Sequence, residues 1–238
     1  MEIVVARDAA ELAEIAADVF RERVRRRPEI TMAVPAGRTP RPMYQRLAAL
    51  QRTAPIDYSR MRVFSVDELC PPAPADGYFW RQVRAEFLAW ANVDPQRCHP
   101  FAVDAADLAA MCARYEEAIE AAGGLEVAML GLGPNAHLAS NEPGAPFDTR
   151  TRVVQLLEAT VRYILTDDVI QGAVCDRAVT VGLATIMAAR EVVVLVSGEA
   201  KRDALARMLG APLGADVPAT MLRTHPRCLL LTDRAAHP

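Results

Sequence analysis

The sequence predicts an α/β domain built on an open, largely parallel β-sheet flanked by helices. Three observations carry this. Short apolar runs alternate with longer amphipathic stretches, the pattern of repeated βα units. Several of those runs end in Pro, Asp or Gly, where loops begin. The 238 residues, 52% of them hydrophobic, are enough to bury a sizeable core. Residues 1–238 are expected to form one domain. The strands, in order, are expected at EIVVA from Glu2, ITMAVP from Ile30, RVFSVD from Arg62, LEVAMLGLG from Leu125, RAVTVG from Arg177, EVVVLVSG from Glu191 and RCLLLT from Arg227. Helices are expected over residues 8–27, 41–51, 78–90 and 105–122, where apolar positions recur at spacings of three and four, with one more after Glu199. The piece CPPAPADGYF directly follows RVFSVDE and reads as a loop on the rim where the strands end. Residues 158–176 have mixed polarity and no period, which suits either a mobile flap over a site or a surface helix.

Composition narrows the function classes. The formal net charge is -3 with Lys and Arg dispersed, so neither a nucleic-acid stripe nor a polybasic membrane arm is expected. No apolar run approaches roughly 18 residues and the N-terminus lacks a signal-peptide pattern, so a cytoplasmic location is expected. Five cysteines, Cys70, Cys98, Cys112, Cys175 and Cys228, are odd in number and form no CxxC pair; they are read as reduced packing residues. His99, His137, His225 and His237 are far apart in sequence, so no metal site and no cofactor is expected.

Four stretches at strand ends carry candidate chemistry. In VPAGRTPRPMY, Gly37 permits a tight turn, and Thr39 and Pro40 open a helix whose unpaired N–H groups attract an anion; Arg38 adds a charge. The alternative is an ordinary strand-to-helix turn with a Thr cap. In SVDEL, Asp67 and Glu68 are adjacent carboxylates suited to proton transfer, since like charge and burial raise a pKa; the alternative is a turn acid. In GLGPNAHLASNEPG, His137 has Glu142 five residues on. In LVSGEAKRDAL, Lys201 lies in the first turn of a helix, where a cation is either placed for an anion or simply exposed.

The stretches VPAGRTP, FSVDE, GLGPNAHLASNEPG, TVGLATIMAAREVVVLVSGEAK and PATMLRTHPRCLLLTD, taken in this order, resemble the glucosamine-6-phosphate deaminase and 6-phosphogluconolactonase family across nearly the whole chain. NEPG at 141–144 and the VDE around Asp67 are similar to the deaminase/isomerase branch. The resemblance implies a Rossmann-like three-layer fold and an aldose–ketose isomerisation of an amino-sugar 6-phosphate with loss of ammonia. It implies Asp67 as the base between C2 and C1, His137 in opening of the pyranose ring, Glu142 in the His137 relay, and Gly37, Arg38, Thr39 and Lys201 around the phosphate, with Glu68 beside them at the site. The partner is a small sugar phosphate, and a homo-oligomer fits the family. A non-catalytic sugar-phosphate binder and a lactonase stay open as alternatives.

The departures are specific. Asn135 and Ala136 stand where the deaminases carry Asp-Gly before the histidine. An amide orients an imidazole but cannot stabilise an imidazolium as a carboxylate does, so a reduced rate on glucosamine 6-phosphate or a shifted substrate is expected. Ala136 lacks the freedom of glycine, so a different loop path is expected. Arg38 replaces a small residue. The flap arginine that binds phosphate in the family falls at Leu165 or Thr166, leaving Arg162 as the nearby candidate.

Overall fold

The computed structural model of the chain describes every residue except 72, 75, 169, 171–173 and 175. It opens with β1 (Glu2–Ala6), α1 (Ala9–Arg26), β2 (Thr31–Val34), α2 (Arg41–Thr53), β3 (Arg62–Ser65) and β4 (Asp67–Leu69). Next come α3 (Phe79–Val83), a π-helical turn (Arg84–Leu88), α4 (Ala89–Ala91), β5 (Cys98–His99), α5 (Leu108–Ala121), β6 (Val127–Gly131) and β7 (Arg152–Gln155). The chain ends with α6 (Glu158–Ile164), β8 (Arg177–Thr180), α7 (Leu183–Met187), β9 (Glu191–Val196), α8 (Arg202–Gly210) and β10 (Cys228–Asp233).

Seven strands form one sheet in the order β1-β10-β9-β6-β2-β3-β5, and every pairing in it is parallel. Its central strands are buried on both faces, and their side chains alternate between two cores. Val192, Val194 and Val196 of β9 join the layer of α5, α7 and α8, built on Tyr115, Ile186 and Leu205. Val193 and Leu195 join the layer of α1 and α2, built on Phe20, Tyr44 and Phe87. This is the three-layer arrangement the sequence implies. Asp8 caps α1 by accepting from Glu11 N, which explains why that helix starts where the sequence indicates.

Two sequence expectations change. RAVTVG does form a strand, but β8 lies outside the main sheet, pairing antiparallel with β4 and β7 in a three-stranded sheet. RVFSVD does not run through as one strand: β3 stops at Ser65, and β4 restarts at Asp67 against β8. A strand's period records which residues alternate, not which sheet accepts them, and so the second sheet is silent in the pattern.

That restart gives the neighbouring carboxylates opposite surroundings, because successive side chains of a strand point to opposite faces. Glu68 is 1% exposed. Its carboxylate accepts N–H groups from Leu69 (2.9 Å), Tyr78 (3.0 Å), Phe79 (3.1 Å) and Trp80 (2.9 Å). It therefore ties the start of α3 to β4, and its oxygens are occupied by backbone rather than turned to a ligand. Gly77 at φ +71° makes the approach feasible, since a Cβ there would fall 2.1 Å from a Glu68 carboxylate oxygen. Glu68→Ala leaves these buried donors without an acceptor and is expected to destabilise the fold by about 3 kcal/mol or more. Urea unfolding of the variant beside wild type checks this.

Candidate active site

The strand order explains where a cavity forms. From β2 the chain moves outward to β3 and β5; it then returns to β6 and proceeds the other way to β9 and β10. The neighbours β2 and β6 thus send their connections in opposite directions, and a crevice opens beyond their carboxyl ends. A cavity of about 140 Å³ occupies it, lined by Gly37, Arg38 and Thr39 after β2, Asp67 after β3, Gly133, His137 and Ser140 after β6, and Lys201 after β9. Tyr163, Ile164 and Asp167 of the α6 segment cover it.

Asp67 is part-buried at the cavity wall and accepts from Ser140 Oγ at 2.7 Å. Burial pushes its carboxyl up to about 7, the Ser140 hydroxyl opposes the rise, and the charge of Glu68 adds to it. A carboxyl in this range is a competent proton acceptor near neutral pH.

The His137 loop is a tight turn: Ala136 N donates to Gly133 O and Gly133 N to His137 O, each at 3.0 Å. Ala136 sits at φ +67°, so the alanine is held in the left-handed region that the sequence reading expected it to avoid. Its methyl is fully buried in the core, which compensates for a strain of about 1 kcal/mol. Gly133 is needed for a different reason: a Cβ there would lie 2.2 Å from the imidazole of His137.

Glu142 Oε2 lies 3.4 Å from His137 Nδ1, a close approach that is too poorly aligned for a hydrogen bond. Asn135 does not touch the imidazole nitrogens. Its Nδ2 donates to Glu142 Oε2 at 2.7 Å and its Oδ1 accepts from His137 N at 3.2 Å. Burial disfavours the charge on Glu142, but the adjacent imidazole, the Thr160 hydroxyl and, least, the Asn135 amide outweigh it and hold the carboxyl at about 2. Glu142 is therefore the carboxylate that faces the imidazole among the described residues, with Asn135 as its brace.

At the other candidate group, Gly37 N donates to Gln82 Oε1 and Gly37 O accepts from Gln82 Nε2, both at 2.9 Å. The Gly37 N–H and C=O are thus both paired, and Gly37 serves as the turn. α2 starts behind Pro40 without a side-chain cap, so Thr39 does not close the helix end. Arg38 and Lys201 both face the ring of Tyr163, at 4.4 and 4.6 Å from its centroid. Lys201 is buried at 6% exposure; burial lowers its pKa, Arg38 adds to that, and Tyr163 opposes it.

The structure therefore brings Asp67, His137, Gly37, Arg38, Thr39 and Lys201 to one cavity, with Glu142 and Asn135 directly behind His137. It does not bring Glu68 or Arg162. Arg162 points outward and pairs with Glu158 one turn earlier. Of the 158–176 segment, 158–164 form the helix α6, and part of the remainder, with Cys175, lies outside the described residues. Sequence reasoning missed Ser140, Gln82, Tyr163 and Asp167. A serine within the quoted His137 stretch was the one signal available; the other three carry no motif. Among the described residues no three His, Cys, Asp or Glu side chains converge as metal ligands.

The profile of the family described as glucosamine-6-phosphate isomerases/6-phosphogluconolactonase matches residues 6–230. The chain belongs to this family. Within it, the chain is 38% identical over 221 residues to glucosamine-6-phosphate deaminase 2 of Giardia intestinalis, covering 90% of this chain and 82% of that one. It is 35% identical over 237 residues to the glucosamine-6-phosphate deaminase of Arthrobacter sp. (strain FB24), covering 99% and 91%. The fold superposes on a monomeric glucosamine-6-phosphate deaminase with a TM-score of 0.93 at 28% identity, over 99% of this chain and 98% of that one. The 6-phosphogluconolactonase of Trypanosoma brucei shares the fold, with a TM-score of 0.73 at 23% identity over 99% of this chain and 97% of that one. The closer agreement in shape lies on the deaminase side.

The carboxyl of Asp67 carries a stability consequence. It holds its proton up to about pH 7 in the folded chain, against roughly 3.9 when unfolded. Its contribution is present below the unfolded value and lost as pH rises through 7. Asp67→Asn is therefore expected to be more stable than wild type at pH 8, by up to about 4 kcal/mol, with little difference near pH 4. Thermal melts of both proteins at the two pH values check it.

Proposed function

We propose that this chain is an enzyme that isomerises an amino-sugar 6-phosphate from aldose to ketose and releases ammonia. The observation that carries the reading is a carboxyl with a pKa near 7, Asp67, sharing one cavity with His137 and with the cations Arg38 and Lys201. The first step is opening of the pyranose: the bond between C1 and the ring oxygen breaks, the ring oxygen takes a proton from the His137 imidazolium that Glu142 stabilises, and the imidazole so formed takes up the proton of the C1 hydroxyl. In the open chain C2 bears the amine and C1 the aldehyde. Asp67 takes the C2 proton and the electrons pass into the carbonyl, whose oxygen takes up a proton given by the amine; return of the Asp67 proton to C1 then leaves the hydroxymethyl carbon at C1 and an imine at C2. Water adds to that imine, ammonia leaves, and the C2 ketone remains. Ser140, bonded to Asp67, fixes the direction in which the carboxylate faces.

Support comes from two sides. The deaminases to which the chain is similar carry this activity in their names, and the geometry supplies separate groups for ring opening and for C2–C1 transfer, which the chemistry requires. Arg38, Thr39 and Lys201 are assigned to the phosphate end. The reaction takes place in the cytoplasm, where sugar phosphates are retained.

The test is incubation with glucosamine 6-phosphate and a panel of hexose and hexosamine 6-phosphates in heavy water, following deuterium at C2 or C1 and ammonia in parallel. Exchange with ammonia release is the expected result. Binding of sugar phosphate with neither exchange nor ammonia would transfer the assignment to a binding protein. Activity is expected to rise with pH through about 7 as Asp67 ionises, and Asp67→Asn to lower kcat by about 10³-fold or more. Asn135→Asp places a second carboxylate beside the His137–Glu142 pair. It is expected to raise kcat on glucosamine 6-phosphate about tenfold; an unchanged kcat would mean that Glu142 alone supplies the countercharge.

A further inference from the structure

The end of the cavity assigned to phosphate holds a carboxylate. Asp167 lines it and is buried at 8% exposure. Its Oδ2 lies 3.7 Å from Arg38 Nε, and its Oδ1 3.1 Å from Arg41 Nη2. Arg41 also pairs with Glu86 at 2.8 Å and with Asp168 at 3.2 Å. Arg38 is placed by two further contacts: its Nη2 donates to Tyr163 O at 3.1 Å, and its guanidinium stacks on the Tyr163 ring. Lys201 faces the same ring.

These charges balance before any ligand enters. Arg38, Arg41 and Lys201 face Asp167, Asp168 and Glu86 around the turn and the α6 segment. Arg41 is engaged by three carboxylates and does not line the cavity. The cations that reach a ligand are Arg38 and Lys201, and Arg38 already faces an anion. A phosphate dianion beside Asp167 would meet repulsion from it, and the donors nearest to it would be shared.

We propose that Asp167 acts as an internal competitor for Arg38 and so sets the affinity of this enzyme for the phosphate group of its substrate. This rests on the assignment of Arg38 and Lys201 to phosphate. A dianion binds by taking the Arg38 guanidinium from the Asp167 carboxylate, while Arg41 continues to hold Asp167 from the other side. Tyr163 is the positioning residue of this arrangement, since both ligand-facing cations rest on its ring. The consequence is a site tuned to weak, readily reversed binding of phosphate, in which affinity depends on the loss of an existing ion pair.

The experiment measures the dissociation constant of inorganic phosphate by titration calorimetry on the full chain, for wild type, Asp167→Asn, Asp168→Asn, Arg38→Gln, Lys201→Met and the Arg38→Gln/Asp167→Asn pair. Removing the Asp167 carboxylate is expected to tighten phosphate binding about fivefold, as for loss of a partly exposed competing ion pair. Asp168, 82% exposed at its side chain, pairs with Arg41 and hydrogen-bonds with Asp167 but does not line the cavity; Asp168→Asn removes the same charge while its amide can keep that contact, and it is expected to change affinity less than about twofold. The gain from Asp167→Asn disappears in the Arg38→Gln background, because it acts through that guanidinium. Asp167→Ser carries the same expectation and guards against the loss of fold in a single variant. Unchanged or weakened binding in Asp167→Asn and Asp167→Ser, with binding lost in Lys201→Met, overturns the role of Asp167 and leaves the phosphate site in place. Binding indifferent to both Arg38→Gln and Lys201→Met overturns the assignment of this end to phosphate and the proposal with it.

Discussion

The chemistry of this molecule depends on how a three-residue strand divides two adjacent carboxylates. β4 pairs with β8, and pleating sends Asp67 and Glu68 to opposite faces. Glu68 is saturated with backbone donors and becomes part of the frame. Asp67 has, among the described residues, a single hydroxyl donor and no cation, so burial leaves it with a proton that it gives up only near neutrality. The same residue type, one position apart, is made structural in one case and reactive in the other by the number of donors each face supplies.

A second contrast concerns the histidine and the anion group. Behind His137, Glu142 is held as a carboxylate over the whole useful pH range, and Asn135 fixes it by donating one hydrogen bond while accepting another from the loop backbone. The amide thus preserves the geometry and gives up only charge. At the far group the structure does the reverse: it adds charge of both signs, with Arg38 and Asp167 placed where a simple turn would leave free backbone donors, and with Gln82 occupying Gly37. One end of the cavity is reduced in charge and the other enriched in it.

Much of this was legible in the sequence, for identifiable reasons. The parallel sheet and its helices follow from period and from loop residues at strand ends, and Asp67, His137 and Lys201 could be found because strand-end residues converge at a switch point between β2 and β6. What stayed hidden depends on direction rather than position. Whether Glu68 or Asp67 faces the cavity is decided by the pairing with β8, which no period encodes. Arg162 and Tyr163 are neighbours on α6, and the phase of that short helix turns the arginine to solvent and the ring inward. Ala136 was expected to divert the loop, yet burial of its methyl and the hydrogen bonds of the turn hold it at positive φ.

The π-helical turn at Arg84–Leu88 follows directly on α3, and its wider winding sets the phase between Gln82 and the aromatic residues after it. Gln82 faces Gly37 and Glu86 faces Arg41, while Phe87 packs on Phe20, Tyr44 and Tyr58. Winding the same five residues as regular α-helix would rotate one half against the other by roughly the angle of one residue, about 100°. The core and the glycine turn could not then both be served. The extra residue of the wide turn is what lets one short helical stretch serve the aromatic core through Phe87 and the mouth of the cavity through Gln82 at the same time.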